Sequence, residues 1–352
     1  MTKLMEYLTQ AAQLGASDIF MVPGAPVSCK LEGLLTPMDQ VKLMPGQSEA
    51  LIGEIYDLAQ RDMEDYKKTG DDDFSFAVPG LARFRVNAYR QRGSLAAVIR
   101  VVAFSIPDYR EIGIPEQVMA LAKDHSGMIL VTGTAGCGKS TTLACLIDRI
   151  NQNRACHIIT LEDPIEYLHR NCKSIVSQRE IAVDTTDYLS ALRACLRQAP
   201  DVIQLGEMRD LETIRTAMTA AETGHLLLAT LHTKGAVNTI DRIIDTFPAD
   251  QQDQIRIQLS TILKTVVSQQ LVPDVDGGQI PVFEVMHMNS AIKSMIRDSK
   301  SHQIPAAIAS GSKEGMISMD QSLFALYQAG RISRQVALEY ADNPEQMQRR
   351  MA

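Results

Sequence analysis

GTAGCGKSTT, residues Gly133 to Thr142, is the stretch that decides the fold of this 352-residue chain. It fits the pattern G-x-x-x-x-G-K-[ST], follows the apolar run GMILVT and opens the helical stretch STTLACLIDRIN. Glycines let successive backbone N–H groups point at phosphate oxygens, and the lysine adds a cation for the β and γ phosphates. The stretch therefore predicts a nucleotide phosphate loop, and the Lys-Ser pair disfavours the alternative of a glycine-rich turn without a ligand.

The predicted ligands of the loop are a nucleotide and Mg²⁺, with the Ser140 hydroxyl as one magnesium ligand. The predicted nucleotide-binding residues are Gly133, Thr134, Ala135, Gly136, Cys137, Gly138, Lys139, Ser140 and Thr141.

The sequence around the loop alternates short apolar strands with helices. ACHIITLED, DVIQLGE and HLLLATLH are the further strands, and one of the helices, Leu211 to Thr223, has Asp210 as its predicted cap and Gly224 as its end. Near-continuous apolar strands between helices indicate a parallel sheet that is covered on both faces. The expected fold class is therefore α/β.

The first hundred residues follow a different pattern. A helix is expected at Leu4 to Gln13, and strands at Asp18 to Val22 and Val27 to Leu31. RFRVNAYR, Arg83 to Arg90, alternates apolar Phe84, Val86 and Ala88 with polar residues, as a half-buried antiparallel strand does. LAAVIRVV follows after the turn at Gly93. These patterns indicate a small α+β domain.

The expected domains are an N-terminal domain at 1–102, a linker region at 103–124, an ATPase domain at 125–285 and a helical C-terminal region at 286–352. The segment FSIPDYREIGIP, with two prolines, marks the linker. C-terminal helices are expected around 291–299, 319–329 and 333–340, and the last residues are polar enough to fray.

Composition limits the possible functions. Hydrophobic residues make up 45% of the chain and the net charge is -7, while no apolar run reaches the ~20 residues of a membrane span. The N-terminus lacks a secretory signal, so we expect a cytoplasmic protein with no membrane insertion and no nucleic-acid partner. Six cysteines without a CxxC pair favour reduced thiols.

Two acidic clusters are candidates for the hydrolytic carboxylates. DVIQLGE ends in Glu207, although Gly206 stands where many ATPases place a magnesium-binding Asp. LEDPIEYLH supplies Glu162, Asp163 and Glu166 at the end of another strand. Strand ends meet at one edge of a parallel sheet, so Ser140, Glu162, Asp163 and Glu207 are the predicted Mg²⁺ ligands. Solvated strand ends are the alternative.

His225 and His232 bracket the strand HLLLATLH seven residues apart, which in an extended strand places them on opposite faces and about 23 Å apart. They are therefore not expected to share a ligand. One of them is a candidate for sensing the γ-phosphate, and a packed, hydrogen-bonded histidine is the alternative.

LEDPIEYLH, the run LGEMRDLETIRTAMTAAETGHLLLATLHT, and DRIIDTFP resemble the acidic box, atypical Walker B segment and histidine box of the type IV pilus retraction ATPases, the PilT family. ASDIF, PGLARFRVNAYRQRG and AIKSMIRDSK also resemble family motifs. The resemblance implies a PAS-like N-terminal domain, a RecA-like ATPase domain and a homohexamer that hydrolyses ATP between subunits. It also implies pilus disassembly for twitching motility, with docking to an inner-membrane platform protein at the cytoplasmic face.

Carried over to this chain, the resemblance implies a catalytic role for Glu207, with Glu162 and His232 beside it. It also implies that Arg92 and Arg100, with Arg85 behind them, approach the phosphates, where a positioned arginine can be worth about 10³ to 10⁵ in turnover. Strand-face solubility is the alternative role of these arginines.

Two departures from the family pattern stand out. Cys137 replaces the usual serine of the loop, and Lys293 and Ser294 replace Arg and Asn in the segment that the family ties to retraction. A helix N-terminus beside Lys139 lowers a thiol pKa, which makes a reactive Cys137 one hypothesis, and a small residue that merely replaces the serine is the alternative.

Three other functions stay open. An assembly or secretion ATPase is disfavoured because the chain has neither a long extra N-terminal region nor a tetracysteine insert. A nucleotide-controlled regulatory partner of another pilus motor is disfavoured by the intact acidic and histidine boxes. A nucleic-acid translocase is disfavoured by the acidic net charge.

Overall fold

The computed structural model describes residues 2–31, 33–102 and 106–351. The chain divides into two compact units, Met1–Ser105 with Glu166–Leu168, and Ile106–Ile165 with His169–Ala352. Residues 103–105 of the predicted linker lie outside the described residues, and the domain boundaries expected from the sequence remain predictions.

The first unit is an antiparallel sheet with three helices. Its sheet has six strands in the order β3-β2-β1-β6-β5-β4. The elements are α1 Lys3–Gln13, β1 Asp18–Met21, β2 Pro26–Leu31, β3 Leu34–Lys42, α2 Pro45–Leu58, α3 Glu64–Thr69, β4 Asp71–Val78, β5 Ala82–Gln91 and β6 Ser94–Val102. Leu4, Leu8, Ile52 and Ile55 of the first two helices are fully buried in the core of this unit.

The alternation expected in RFRVNAYR is confirmed in β5. Phe84, Val86 and Ala88 are fully buried, because the period of two puts them all on the core face. The turn to β6 has Arg92 at φ 48° and Gly93 at φ 77°. Two successive positive φ angles are the geometry of the two-residue hairpin turn that matches strand twist.

The second unit contains a seven-stranded sheet in the order β13-β12-β7-β11-β10-β8-β9. Its strands are β7 Gly127–Thr132, β8 His157–Glu162, β9 Ile175–Glu180, β10 Val202–Leu205, β11 Leu226–Leu231, β12 Leu263–Pro273 and β13 Gln279–His287. The strands from β12 to β9 are parallel, and β13 alone of the seven runs antiparallel.

Helices cover both faces of this sheet. They are α4 Glu116–Met119, α5 Lys139–Asn153, α6 Tyr188–Cys195, α7 Leu211–Glu222, α8 Ala236–Asp245, α9 Gln252–Ile262, α10 Ser290–Arg297, α11 Ile304–Ser310, α12 Met319–Gln328, α13 Arg334–Tyr340 and α14 Pro344–Arg350. Met128 and Leu130 of β7 pack in one buried cluster, and Ile129 and Val131 in another. A strand buried on both faces explains its continuous apolar sequence.

The predicted fold class is confirmed as mixed α/β, with an N-terminal antiparallel sheet, a parallel sheet that carries the phosphate loop and a helical C-terminal region. Five of the described strands, β3, β4, β9, β12 and β13, were not predicted from the sequence. The expected fraying of the last residues is wrong for 344–350, which form α14 with an Asn343 cap. Among the described residues, no helix is long and apolar enough to cross a bilayer.

Candidate nucleotide site

The phosphate loop joins β7 to α5, as predicted, and β12 passes close behind it. An added Cβ at Gly133 would collide with the carbonyl oxygen of Gln269 on β12. Gly133 has φ 142° and Gly138 has φ 90°, so a side chain is disfavoured at both positions on conformational grounds as well. The glycines are therefore required for the close approach of two backbones and for the open turn of the loop.

Lys139 lies inside the loop with only 8% of its surface exposed. Its ammonium donates hydrogen bonds to the carbonyl oxygens of Gly133 and Thr134, both at 2.9 Å. A buried cation surrounded by loop backbone at the start of α5 favours an anionic ligand such as a polyphosphate.

Gln269 is a loop-supporting residue that sequence reasoning missed. The Thr142 hydroxyl on α5 donates to its Oε1 at 2.7 Å, and the side chain is buried. The only signal that could have found it is β12 itself, which the sequence analysis did not predict.

The expected lowering of the Cys137 pKa is wrong, and the reactivity of the thiol stays a hypothesis. The residue is 3% exposed, and burial raises the pKa of its thiol, while the nearby Lys139 charge opposes the shift without reversing it. The sequence argument considered the helix N-terminus and the lysine but not the desolvation of the thiolate.

Glu207 lies just after β10 and contacts two basic side chains. One carboxylate oxygen is 2.5 Å from the Arg209 guanidinium, and the other is 3.2 Å from Nε2 of His232. Glu207 is 9% exposed, whereas the side chains of Arg209 and His232 are 74% and 50% exposed. The structure thus brings together two predicted site residues, and it adds Arg209, which was part of a quoted motif without an assigned role.

Glu162 ends β8, the neighbour of β10, and is nearly buried. It accepts hydrogen bonds from the Thr160 hydroxyl at 2.5 Å and from the Gln178 amide at 3.1 Å. Asp163 is exposed beside it, whereas Glu166 groups with the first unit. Of the acidic box, Glu162 and Asp163 therefore lie at the same sheet edge as Glu207.

Tyr188, the first residue of α6, places its hydroxyl at the same sheet edge, beside Gly206. Its role was not predicted from the sequence. Burial raises the pKa of its hydroxyl, and the charges of Asp163, Glu207 and Glu162 raise it further. An added Cβ at Gly206 would lie 2.6 Å from the Tyr188 Oη.

The two histidines make separate contacts, as their positions at opposite ends of β11 predict. His232 contacts Glu207, whereas Nδ1 of His225 lies 2.9 Å from the Ala220 carbonyl oxygen and 3.2 Å from the Thr223 hydroxyl. His225 thus packs against the end of α7, which is the alternative that the sequence left open for it.

The order β7-β11-β10-β8 brings the phosphate loop, His232, Glu207 and Glu162 to the carboxyl edge of one sheet. Known proteins resemble this chain over most of its length. The family model described as type II/IV secretion system protein matches residues 1–322. The chain belongs to this family.

Two relatives from Pseudomonas aeruginosa resemble this family member over most of its length. The type IV pilus retraction ATPase PilT is 43% identical over 97% of this chain and 99% of its own length. The type IV pilus ATPase PilU is 40% identical over 94% of this chain and 86% of its own. A crystal structure of the pilus retraction motor PilT with bound ADP matches with a TM-score of 0.90 and 44% identity, covering 99% of this chain and 100% of that one.

Because the chain belongs to this family and matches these ATPases over most of its length, it is an ATPase. The chemistry of its site also fits Mg²⁺, which prefers oxygen ligands and takes part of its coordination from substrate phosphates and water. Among residues 2–31, 33–102 and 106–351 there is no group of three or more acidic, histidine or cysteine side chains arranged to hold a metal. Ser140 and one or two of the carboxylates would then hold the ion together with the nucleotide.

The candidate arginines lie in the first unit. Arg100 on β6 forms a 3.0 Å ion pair with Asp18 on β1, and Arg85 on β5 is its neighbour across the strands. Arg92 is exposed in the β5–β6 turn. The observed partner of Arg100 is thus a carboxylate of its own sheet, and the catalytic role of these arginines remains a prediction.

A cavity of about 410 Å³ adjoins the phosphate loop on the side of α5. Gly138, Thr141 and Thr142 line it from the loop and helix, and Gln269, Ile280 and Ile112 line it from the other side. Its volume lies in the range of small-molecule sites.

Proposed function

We propose that this ATPase is the motor that drives type IV pilus retraction and, through it, twitching motility. The similarity to PilT over nearly the whole of both chains supports this function. The observation that carries it is the placement of Glu207, held by Arg209 and His232, at the sheet edge that also bears the phosphate loop.

In the proposed reaction the loop N–H groups and Lys139 hold the β and γ phosphates of ATP. Glu207 orients a water molecule and accepts its proton, so that a bond forms from the water oxygen to the γ-phosphorus while the bond from that phosphorus to the β,γ-bridging oxygen breaks. The products are ADP and inorganic phosphate. Mg²⁺, when bound, neutralises phosphate charge.

The cavity beside α5 is the proposed binding site for the nucleoside part of ATP. It continues from Gly138 and Thr141 of the loop, so a nucleotide whose phosphates lie on the loop N–H groups has its base and ribose directed toward apolar Ile112 and Ile280. Apolar walls with a few polar groups are typical of such sites.

The proposed assembly is a homohexamer in the cytoplasm, in which the PAS-like first domain of one subunit brings Arg92 and Arg100 to the nucleotide of its neighbour. The sequence resemblance supports this arrangement, as does the exposure of both arginines. An inner-membrane platform protein is the proposed partner, with α10, which carries the AIKSMIRD segment, as part of the retraction machinery. Asn289 caps α10, and Lys293 and Ser294 are half-buried on it.

A partner of another pilus motor is the second candidate function, and the 40% identity to PilU favours it. Such a protein would bind nucleotide at the same site but would depend on the other motor for its effect on pili. Imaging of pilus length and retraction distinguishes a motor from a partner of another motor.

The test is a deletion of the gene in its native strain, complemented with the wild-type chain or with Glu207→Gln at matched protein level. Loss of the motor is expected to give long pili that do not retract and cells that do not twitch, and only the wild-type chain is expected to restore both. Cells without pili would instead indicate an assembly ATPase. Pili of unchanged length and dynamics would contradict the motor function and favour the regulatory partner.

A further inference from the structure

Gly206 stands where many ATPases carry the magnesium-binding Asp, and the space for its side chain is already occupied. An added Cβ would lie 2.6 Å from the Tyr188 Oη, 3.4 Å from Cζ of the same ring and 3.1 Å from the carbonyl oxygen of Leu161. The first distance is far shorter than a carbon–oxygen contact allows. The Tyr188 hydroxyl and a side chain at position 206 therefore exclude each other.

Hydrogen bonds hold Gly206, which follows β10, between the two neighbouring strands β8 and β11. Its N–H donates to the Leu161 carbonyl oxygen of β8 at 2.8 Å, and its own carbonyl oxygen accepts from the Thr230 hydroxyl of β11 at 2.5 Å. Since the residue is tied on both sides, it has little freedom to move away from Tyr188. The position of the hydroxyl is fixed relative to the ends of β8 and β10.

Tyr188 itself is anchored by its ring and its helix. The ring packs against the buried cluster that contains Leu161, Leu205 and Met208. Asp187 caps α6 by accepting from the Ser190 N–H at 2.7 Å. The apolar part of the side chain thus lies in the core, while the hydroxyl points to the sheet edge that carries the carboxylates.

The charges around the hydroxyl decide what it can do. Asp163, Glu207 and Glu162 all act electrostatically on it, and Arg209 acts in the opposite direction. A phenol, whose ordinary pKa is about 10, keeps its proton at neutral pH and can donate one hydrogen bond. Glu162 and Glu207 stand at the strand ends beside Gly206, so the hydroxyl is a neutral donor next to carboxylate acceptors.

We propose that Tyr188 is a positioning residue for ATP hydrolysis, whose hydroxyl takes the space of a side chain at position 206 and supplies a hydrogen-bond donor beside Glu162 and Glu207. The Glu207 carboxylate contacts Arg209 and His232, and the hydroxyl is available as a further donor at the same strand end. This inference rests on the ATPase activity of the proposed function and not on what the motor moves.

The first test measures kcat, the KM for ATP and the Kd of a fluorescent ADP analogue with purified full-length Tyr188→Phe. Because the substitution removes only the oxygen, we expect kcat to fall about tenfold while KM and Kd stay within about twofold. Tyr327→Phe, on α12, is the matched control and is expected to behave like the wild type. Parental kcat in Tyr188→Phe would overturn the proposal, as would a joint loss of kcat and nucleotide affinity.

The second test does not depend on activity. Gly206→Ala is introduced into the wild type and into Tyr188→Phe, and the melting temperature of each protein is measured. We expect the substitution to lower the melting temperature clearly more in the wild type than in Tyr188→Phe, because the closest clash of the added Cβ is with the hydroxyl. Equal losses in both backgrounds would overturn the placement of the hydroxyl. A wild-type protein without ATP turnover would overturn both the ATPase function and this inference, whereas normal pilus retraction in the deletion strain would overturn only the motor function.

Discussion

At the scale of single residues, Glu207 combines burial with two exposed basic partners. A nearly buried carboxylate is costly unless it is paired, and Arg209 and His232 supply the pairing. Both partners are exposed side chains. The two contacts therefore hold the Glu207 carboxylate from the exposed side of the sheet edge.

Cys137 gives a prediction about reactivity at neutral pH. Its burial and raised pKa leave little accessible thiolate, so an alkylating reagent at pH 7.5 should label it slowly. Cys172 is exposed and should be labelled first. Peptide mass spectrometry over a time course measures both rates in the same sample.

The matched control is Cys137→Ser, which should keep the wild-type rate of ATP hydrolysis after treatment with the reagent. Labelling of Cys137 before Cys172, with a loss of activity that Cys137→Ser escapes, would show that the thiol is reactive after all.

Some of these residues were predictable and others were not. Glu207 and Glu162 follow predicted strands, so their meeting at one sheet edge can be read from the chain. Gln269 and Tyr188 reach the site across the fold, from β12 and α6. No local pattern marks them, because their role depends on contacts between distant segments.

At the scale of helices and strands, local signals placed most of the second unit. The expected cap of α7 is present, since Asp210 accepts from the Thr213 N–H at 2.9 Å. The strands β7, β10 and β11 are buried along their whole length, and each has a nearly continuous apolar sequence that is interrupted or ended by one buried polar residue. A helix cap and an apolar run can each be recognised from the local sequence, without knowledge of contacts to distant segments.

The strands that were missed have mixed sequences. β12 reads LKTVVSQQLVP and contains the buried polar residues Thr265, Ser268 and Gln269. These polar groups serve the site and the neighbouring helices: Ser268 accepts from the Gly235 N–H, and Gln269 accepts from Thr142. Functional polar residues interrupt the apolar pattern from which a strand is recognised.

At the scale of the whole molecule, the sequence resemblance predicts a site completed by two subunits. Arg100 pairs with Asp18 within its own sheet, which orients the side chain but leaves it 65% exposed. An exposed arginine on a rigid strand is suited to reach a phosphate of a neighbouring chain.

Mixed oligomers test this arrangement. Arg100→Gln and Lys139→Ala subunits should each be inactive alone, because one lacks the arginine and the other the phosphate-loop cation. After mixing in equal amounts, about a quarter of the interfaces should combine an intact Arg100 with an intact Lys139 from the adjacent subunit. The ATPase rate of the mixture should therefore rise above that of either variant, whereas no recovery would indicate that Arg100 acts within its own chain or not at all.

The central claim is that Lys139 and Glu207 form one hydrolytic site, in which Lys139 binds the phosphates and Glu207 directs the water. The most direct measurement is the rate of ATP hydrolysis by purified Glu207→Gln beside the wild type, with the Kd of ADP measured on both. We predict a kcat reduced by about 10² or more and a Kd within about twofold, because the amide keeps the shape of the side chain but cannot accept the proton. A Glu207→Gln protein that hydrolyses ATP as fast as the wild type would contradict the account.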